Sequence, residues 1–392
     1  MQYNFDEIID RRNTDAIKVE RCKTLFGTED VLPLWVADMD FRTPDFIISA
    51  IQKRLEHPIL GYTKSPKNFY SSTINWITSH HNWNIERDWV DFLPGIVPGL
   101  SFAVQSLTAP GDEVIVQPPV YYPFFHVIEK NNRVLIQNPL KEEDGKFVFD
   151  LDDLEKKFST KTKLFILCNP HNPGGRVWTK EELQQFAAVC EKHQVTIISD
   201  EIHADMVLPG NTRHTPFATV SEWAKNNTVT FMAPSKVFNM PGLISSVYII
   251  PNAELRNRFA RFLEASEMNN GNMFAYMAAV AAYENGEEWR KQMLDYVKAN
   301  VDYIADFLKN NIPQIKPMIP EASFLVWLDC KDLGMETDEL HKFFSLKAGL
   351  GLNKGTIFGT GGEYHLRLNV ACSKKVLEKA MKQLKEAVRS KR

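Results

Sequence analysis

The sequence predicts an α/β protein: a large domain with a mostly parallel sheet covered by helices on both faces, and a smaller α+β domain. Between residues 91 and 250, short apolar segments typical of buried strands alternate with segments of helical periodicity. A chain of 392 residues is too long for one simple core, which also predicts two domains. We place the large domain at 48–284, and the smaller one at 285–392 together with an N-terminal arm, 1–47.

Composition narrows the class of protein. Hydrophobic residues make up 44% of the chain and charged residues 24%, as in ordinary globular proteins. A net charge of −3 gives no reason to expect nucleic acid or an anionic membrane as a partner. The five scattered cysteines show no C-x-x-C spacing, which argues against a disulfide framework or a zinc site and fits the reducing cytoplasm. We expect no signal peptide, no membrane span and no bound metal.

The elements follow in chain order. After an arm that includes Asp38 and Asp40, interpreted as a structural loop rather than a metal site, helices are predicted at Thr43–Leu55 and Asn68–His80. A turn at Gly95 leads into a helix from Pro98 to Leu107. Another long helix begins at Thr179, where Glu182 completes a capping box. The predicted strands of the large domain are Glu113–Gln117, Arg133–Ile136, Lys163–Cys168, Val195–Ser199, Val229–Met232 and Leu243–Ile250. Helical pattern then runs from Asn252 to Asn310, and the small domain adds strands at Ser323–Cys330 and Tyr364–Val370.

Polar residues that could carry chemistry follow several of these strands. Ligands of open parallel sheets bind beyond the carboxyl ends of the strands, where Tyr121, Asn172, Asp200 and Lys236 fall. Lys236 could be a surface lysine, or a desolvated lysine that attacks the aldehyde of pyridoxal phosphate. For that cofactor, Asp200 could face the ring nitrogen, Asn172 the phenolic oxygen and Tyr121 the ring. Taken singly, the three are equally consistent with a helix cap, a tight turn and a core aromatic.

Anion-binding groups are also present. The backbone N–H groups of Ile96 and Val97, at a helix start, could bind a phosphate with help from the hydroxyl of Ser235. Arg367 lies in an apolar strand and could hold a substrate carboxylate, although an arginine there could equally point to solvent. Each feature alone is weak, but their joint presence favours a pyridoxal-phosphate site.

Nearly the whole chain resembles a known family. The motifs LPLWVADMDF, QPPVYYPFF, NPHNPGGRVW, SDEIHADMVLPG, APSKVFNMPGL and HLRLNVAC resemble those of fold-type-I pyridoxal-phosphate enzymes, within the class I/II aminotransferase superfamily. Among these, SDEIHAD and LPLWVADMDF are most similar to the cystathionine β-lyase/cysteine C–S lyase family. The pattern departs from that of aminotransferases at Ile244, where they usually carry an arginine, and at Ala233, where they often carry a serine.

The resemblance implies roles for particular residues. Lys236, Asp200 and Tyr121 would be catalytic, with Lys236 holding pyridoxal 5'-phosphate as a covalent aldimine. The substrate carboxylate would be bound by Arg367 and the backbone of Ala37, near Asn172 and Tyr122. The remaining cofactor contacts would come from Asn172, His203, Ile96, Val97, Ser235 and, across a homodimer interface, Tyr62.

The reaction implied is α,β-elimination of L-cystathionine or a related cysteine S-conjugate to thiol, pyruvate and ammonia. An aminotransferase of broad amino-acid specificity is the main alternative, because the same residues around the cofactor support both reactions. A cofactor-binding regulatory protein is a third interpretation. The sequence does not identify the leaving thiol.

Overall fold

The computed structural model describes residues 2–391. Its strands are β1 (Leu32–Pro33), β2 (Val90–Leu93), β3 (Glu113–Val116), β4 (Val134–Gln137), β5 (Lys141–Glu143), β6 (Lys146–Val148), β7 (Thr162–Cys168), β8 (Thr196–Asp200), β9 (Thr228–Met232), β10 (Ser246–Ile249), β11 (Lys316–Met318), β12 (Leu325–Asp329), β13 (Leu350–Gly351), β14 (Asn353–Lys354) and β15 (His365–Asn369). Its α-helices are α1 (Ile17–Glu20), α2 (Cys22–Phe26), α3 (Asp45–Leu55), α4 (Lys67–His81), α5 (Ile96–Leu107), α6 (Pro123–Glu129), α7 (Leu151–Lys157), α8 (Lys180–Lys192), α9 (Glu222–Asn227), α10 (Ala253–Ala265), α11 (Met273–Asn285), α12 (Glu287–Asn311), α13 (Thr337–Lys342) and α14 (Lys374–Ser390).

A seven-stranded sheet forms the centre of the molecule, in the order β2-β10-β9-β8-β7-β3-β4. Neighbouring strands from β9 to β4 are parallel, whereas β10 runs antiparallel to both of its neighbours. Every residue of β9 is buried, as expected for a strand covered on both faces. The predicted class, α/β with a mostly parallel sheet, is therefore confirmed.

Two details of the sheet differ from the sequence prediction. Strand β2 was not predicted, because that part of the sequence indicated only the turn at Gly95. It pairs with β10 and forms one edge of the seven-stranded sheet. The strand predicted at Leu243–Ile250 is shorter, since a 3-10 turn at Pro241–Leu243 precedes it. Ile244 ends that turn in the left-handed region, at φ 51°, which breaks the extended conformation.

The helices lie close to their predicted positions. Helices α3 and α4 match the two predicted early helices within two residues. Helix α5 begins at Ile96 rather than Pro98, directly after Gly95, whose φ of 93° only glycine adopts readily. The predicted capping box of α8 is confirmed, with Thr179 and Glu182 each accepting from the other's backbone N–H.

A second, antiparallel sheet has the order β11-β12-β15-β14; helix α12 packs against it, and α14 packs against α12. One hydrophobic core runs from the N-terminal arm through α11 and α12 to this sheet. The domain limits at 48–284 and 285–392 stay a prediction. None of the helices in residues 2–391 has the length and apolarity needed to cross a bilayer.

The segment from Trp35 to Phe41 connects the two sheets. The Asn239 side chain, in the loop after β9, hydrogen-bonds the backbone of Met39 and Phe41. The Asn369 side chain, at the end of β15, donates to the carbonyls of Val36 and Asp38. This segment therefore brings the N-terminal arm against residues that lie far along the chain.

Ion pairs hold the same segment from its other side. Arg11 contacts Asp38 at 2.6 Å and Asp40 at 3.0 Å, and the buried Lys18 contacts Asp40 at 2.8 Å. The two aspartates thus have a structural role, as the sequence indicated. Within residues 2–391 there is no group of three or more metal-ligating side chains placed to hold an ion.

Candidate active site

A cavity of about 270 Å³ opens at the carboxyl ends of β7, β8 and β9. Parallel strands that end at one edge of a sheet leave such a crevice, and the side chains that follow them converge there. Nine of the sequence-predicted site residues line this cavity: Ala37, Ile96, Val97, Tyr121, Asn172, Asp200, His203, Ser235 and Lys236. The structure therefore brings together residues that are up to 199 positions apart in the sequence.

Lys236 lies four residues beyond β9, and its ammonium group is enclosed by protein. Its Nζ donates a hydrogen bond to the carbonyl oxygen of Ala37 at 2.6 Å. Burial lowers the pKa of Lys236 to about 8, a shift that the charge of Arg367 increases and the charges of Asp38 and Asp200 reduce. A substantial fraction of this amine is consequently neutral, and nucleophilic, at neutral pH.

Asp200 is the last residue of β8 and is buried at the cavity wall. Within the described chain, its carboxylate accepts a hydrogen bond from the N–H of Ile202 at 3.1 Å. Burial raises the pKa of Asp200 to about 7, since one hydrogen bond and the distant charge of Lys236 only partly replace lost hydration. The carboxylate is therefore poorly solvated and suited to a cationic partner in the cavity.

One end of the cavity is suited to an anion. Ile96 and Val97 form the first turn of α5, whose free N–H groups and positive dipole end lie at this wall. Ser235 and Ser245 line the same cavity. The hydroxyl of Ser245 is buried and has no hydrogen-bond partner in residues 2–391. These groups together form a site for a phosphate.

Aromatic and imidazole rings line the remaining wall. Burial raises the pKa of Tyr121, so its phenol stays neutral, and its ring packs 5.4 Å from that of Tyr122. Burial also lowers the pKa of His203 to about 3, and the positive charge of Lys236 adds to this effect. His203 is therefore a neutral imidazole, and its Nδ1 has no partner within the described residues.

Arg367 does not line the cavity itself but lies behind Asn172. Its Nη1 donates to Asn172 Oδ1 at 3.0 Å, and its Nη2 donates to Trp35 O at 3.0 Å and Asn353 Oδ1 at 2.7 Å. Its Nε has no acceptor in the part of the chain that the structure describes. Burial lowers the pKa of Arg367 to about 10, which is still a cation at neutral pH. Its acceptors among residues 2–391 are neutral, so this buried guanidinium is suited to an incoming carboxylate.

Besides Arg367, two other predicted residues do not line the cavity. Tyr122 is half-buried behind Tyr121 and packs against Phe358. Tyr62 is fully exposed and borders a separate surface cavity beside Asn270. The roles that the resemblance assigned to all these side chains stay predictions.

Sequence reasoning missed some residues of the cavity wall. Ser245 follows Ile244, the position noted for its missing arginine, yet a serine in GLISS carries no recognisable pattern. Ile202 and Cys168 also line the wall. Cys168 ends a predicted strand, a signal that could have identified it.

Comparisons with known proteins agree with this arrangement. The model of the family "Aminotransferase class I and II" matches residues 29–384. The chain is 42% identical to cystathionine beta-lyase PatB of Bacillus subtilis, over 98% of this chain and all of that protein. It is 34% identical to the crystal structure of cystalysin from Treponema denticola, which contains a pyridoxal 5'-phosphate cofactor, with a TM-score of 0.97 over all of both chains. The structure of a PLP-bound C–S lyase from Staphylococcus hominis is 35% identical, with a TM-score of 0.91 over 99% of this chain and 98% of that one.

The family match covers most of the chain, and the similarity to these relatives extends over its full length. The strand ends, the lysine loop and the start of α5 all lie inside the matched residues. The chain therefore belongs to the aminotransferase class I and II family.

Proposed function

We propose that the protein is a pyridoxal-phosphate-dependent C–S β-lyase, which converts L-cystathionine or a related cysteine S-conjugate to thiol, pyruvate and ammonia. The observation that carries the proposal is that buried Lys236 and buried Asp200 face one cavity, with a lowered and a raised pKa respectively. Shifts of this kind on two groups of one cleft are typical of catalytic sites.

The residues present fit pyridoxal 5'-phosphate. Lys236 offers an amine to its aldehyde, Asp200 a carboxylate to its ring nitrogen, and α5 with Ser235 and Ser245 a phosphate site. The unpartnered hydroxyl of Ser245 is explained by this fit, because a buried polar group without a partner is costly. When bound, the cofactor supplies an electron sink for the bond electrons of the substrate Cα.

The chain's own residues position the substrate and move its proton. Arg367, held in place by Asn172 and Asn353, binds the α-carboxylate through its guanidinium. Lys236 Nζ, next to the carbonyl of Ala37, takes the Cα proton as general base, which its lowered pKa permits. Tyr121 lines the cavity, where it would cover the bound cofactor ring and exclude water from that face.

Lyase activity is favoured over transamination by the relatives. PatB and the Staphylococcus hominis protein carry the names cystathionine beta-lyase and C–S lyase, and both match along the whole chain. The test is to incubate the purified, cofactor-loaded protein with L-cystathionine in the absence of a keto acid, and to assay thiol and pyruvate. We expect both products in equal amounts. If turnover occurs only after a keto acid is added, the protein is an aminotransferase and the lyase proposal is wrong.

A regulatory protein that only holds the cofactor is disfavoured by the intact set of Lys236, Asp200, Asn172 and Arg367, of which the last three are buried and Lys236 lines the cavity. Turnover decides this alternative as well, since a protein without catalytic function gives no pyruvate.

We also propose a homodimer in the cytoplasm. Tyr62 is fully exposed next to the exposed Ile59 and Leu60, a cluster that favours burial against a second copy. All five cysteines are free and buried, which suits a reducing compartment. Sedimentation analysis tests the dimer, and a Tyr62→Phe variant with weaker cofactor binding supports the role of Tyr62 across the interface. A monomer with full activity contradicts it.

A further inference from the structure

The guanidinium of Arg367 has a limited number of donors, and most of them are in use. A guanidinium carries five N–H groups, one on Nε and two on each of Nη1 and Nη2. Nη1 donates one hydrogen bond, to Asn172 Oδ1, and Nη2 donates two, to Trp35 O and Asn353 Oδ1. Within residues 2–391, the donors that remain are therefore the N–H of Nε and one N–H of Nη1.

The remaining donors cannot form the two-pronged contact that a carboxylate makes with a guanidinium. Such a contact uses two parallel N–H groups along one edge of the planar group. The edges available are Nε with Nη2 and Nη1 with Nη2, so both of them include Nη2. Because both N–H groups of Nη2 are in use, a carboxylate that binds Arg367 in this way must displace Trp35 O or Asn353 Oδ1.

The first of these acceptors, Trp35 O, is firmly held. The preceding residue, Leu34, is fixed on both sides, because its N–H donates to Gly351 O and its carbonyl accepts from the N–H of Asn369, each at 2.9 Å. The ring of Trp35 is buried, and its Nε1 donates to Lys18 O at 3.0 Å. Moving the carbonyl of Trp35 would therefore disturb several other contacts of the backbone and the core.

The second acceptor, the side chain of Asn353, is much less restrained. Asn353 lies in β14, a two-residue strand at the edge of the second sheet, where it is paired directly with Arg367 of β15. The residue is half-buried, and the bond to Arg367 at 2.7 Å is the one hydrogen bond that its side chain makes within the described chain. Rotation of this side chain therefore releases Nη2 without disturbing either strand.

We propose that Asn353 is an exchangeable partner of Arg367, which holds Nη2 in the free enzyme and releases it to the α-carboxylate of the substrate. The inference rests on the proposed function, in which Arg367 binds that carboxylate. An amide is suited to this role, because it satisfies a donor of the buried cation and yet is a weaker acceptor than a carboxylate. Asn353 acts through Arg367 and is therefore a positioning residue of the carboxylate site.

The test compares two ligands that differ by one carboxylate, L-alanine and ethylamine. Their dissociation constants are measured on the cofactor-loaded protein by the visible absorbance of the cofactor. Asn353→Ala removes the acceptor, and Asn353→Asp replaces it with a carboxylate of the same shape. The control, Lys354→Gln, changes the charge of the same strand by as much as Asn353→Asp does, at a side chain that pairs with the exposed Asp338. Thermal unfolding shows whether each variant folds.

For N353A we expect L-alanine to bind about three- to tenfold more tightly, because the ligand no longer breaks a hydrogen bond within the protein. For N353D we expect L-alanine to bind about 10- to 100-fold more weakly, because the new carboxylate takes the place of the ligand's own. Ethylamine has no carboxylate to exchange, so its binding changes less than about twofold in both variants. K354Q binds both ligands within about twofold of wild type.

The sign of the change in N353A separates exchange from mere support. Unchanged or weaker binding of L-alanine to N353A overturns the inference, because a residue that only held Arg367 in place would give that result. A folded N353D that binds L-alanine within about threefold of wild type also overturns it, and decides alone if N353A does not fold. An equal change for ethylamine overturns it too. Wild-type protein that binds L-alanine but releases no pyruvate from L-cystathionine overturns the lyase alone, since the alanine titrations still decide the exchange.

Discussion

The lowered pKa of Lys236 predicts how fast the cofactor-free protein captures pyridoxal phosphate, a rate that can be measured. A buried lysine with a pKa of about 8 is neutral in about one molecule in ten at pH 7, whereas an ordinary lysine of pKa 10.5 is neutral in about one in 3,000. The cofactor-free protein should therefore capture pyridoxal phosphate about 300 times faster at pH 7 than it would if Lys236 kept the ordinary lysine pKa of 10.5. The rate rises about tenfold per pH unit below 8 and levels above it.

The assay is stopped-flow absorbance of cofactor capture between pH 6.5 and 9.5, with Nα-acetyl-lysine as the ordinary amine. Because the negative charge of Asp38 raises the pKa of Lys236, Asp38→Asn should move the midpoint below 8. The control is Asp10→Asn, whose carboxylate is exposed and, within residues 2–391, pairs with the neighbouring arm residue Arg12. A midpoint near that of the free amine, or one that Asp38→Asn raises, would refute the reasoning.

Three further changes have expected results. Arg367→Lys should raise KM for the amino-acid substrate about 10- to 100-fold, with a smaller change in kcat, because a lysine cannot replace the two-pronged contact. Gly175→Ala, whose Cβ would lie 2.3 Å from Pro320 at a φ of 66°, should lower the free energy of unfolding by more than about 2 kcal/mol, against about 1 kcal/mol for Gly111→Ala in open space. Ile244→Asn should raise the free energy of unfolding by about 1 kcal/mol. A half-exposed β-branched residue is strained at a φ of 51°, whereas asparagine is not.

Steady-state kinetics and urea unfolding at one fixed protein concentration measure these changes. An unchanged KM in the Arg367 variant contradicts carboxylate binding there. Equal losses in the two glycine variants contradict the steric argument, and a loss of stability in the Ile244 variant contradicts backbone strain.

The fold was predictable in segments whose buried residues recur at the regular spacing of a helix or strand. The helices α3 and α4 and the strand β7 were placed within two residues, because their apolar residues recur with the spacing of one buried face or fill a whole strand. Strand β2 was missed because the glycines and prolines of PGIVPG dominate that stretch. Its partner strand β10 also lies more than 150 positions later in the chain.

The candidate site was predictable to the extent that it lies at strand ends. Asp200 and Lys236 stand out because charged residues are rare at, or just beyond, the end of a buried strand. Ser245 was not found, since a hydroxyl in a loop leaves no periodic signal. Only the folded chain shows that it lines the cavity.

The segment from Trp35 to Phe41 has a consequence for how the protein matures. Some of its carbonyls accept hydrogen bonds from Asn239, and others from Asn369, which lies up to 333 positions downstream. The carbonyl of Ala37 accepts a hydrogen bond from Lys236. A chain still growing on the ribosome has made Lys236 long before it has made Asn369, which holds the two carbonyls on either side of the one that faces the lysine. Incorporation of the cofactor therefore belongs to the last stage of folding, after β15 has packed against the N-terminal arm.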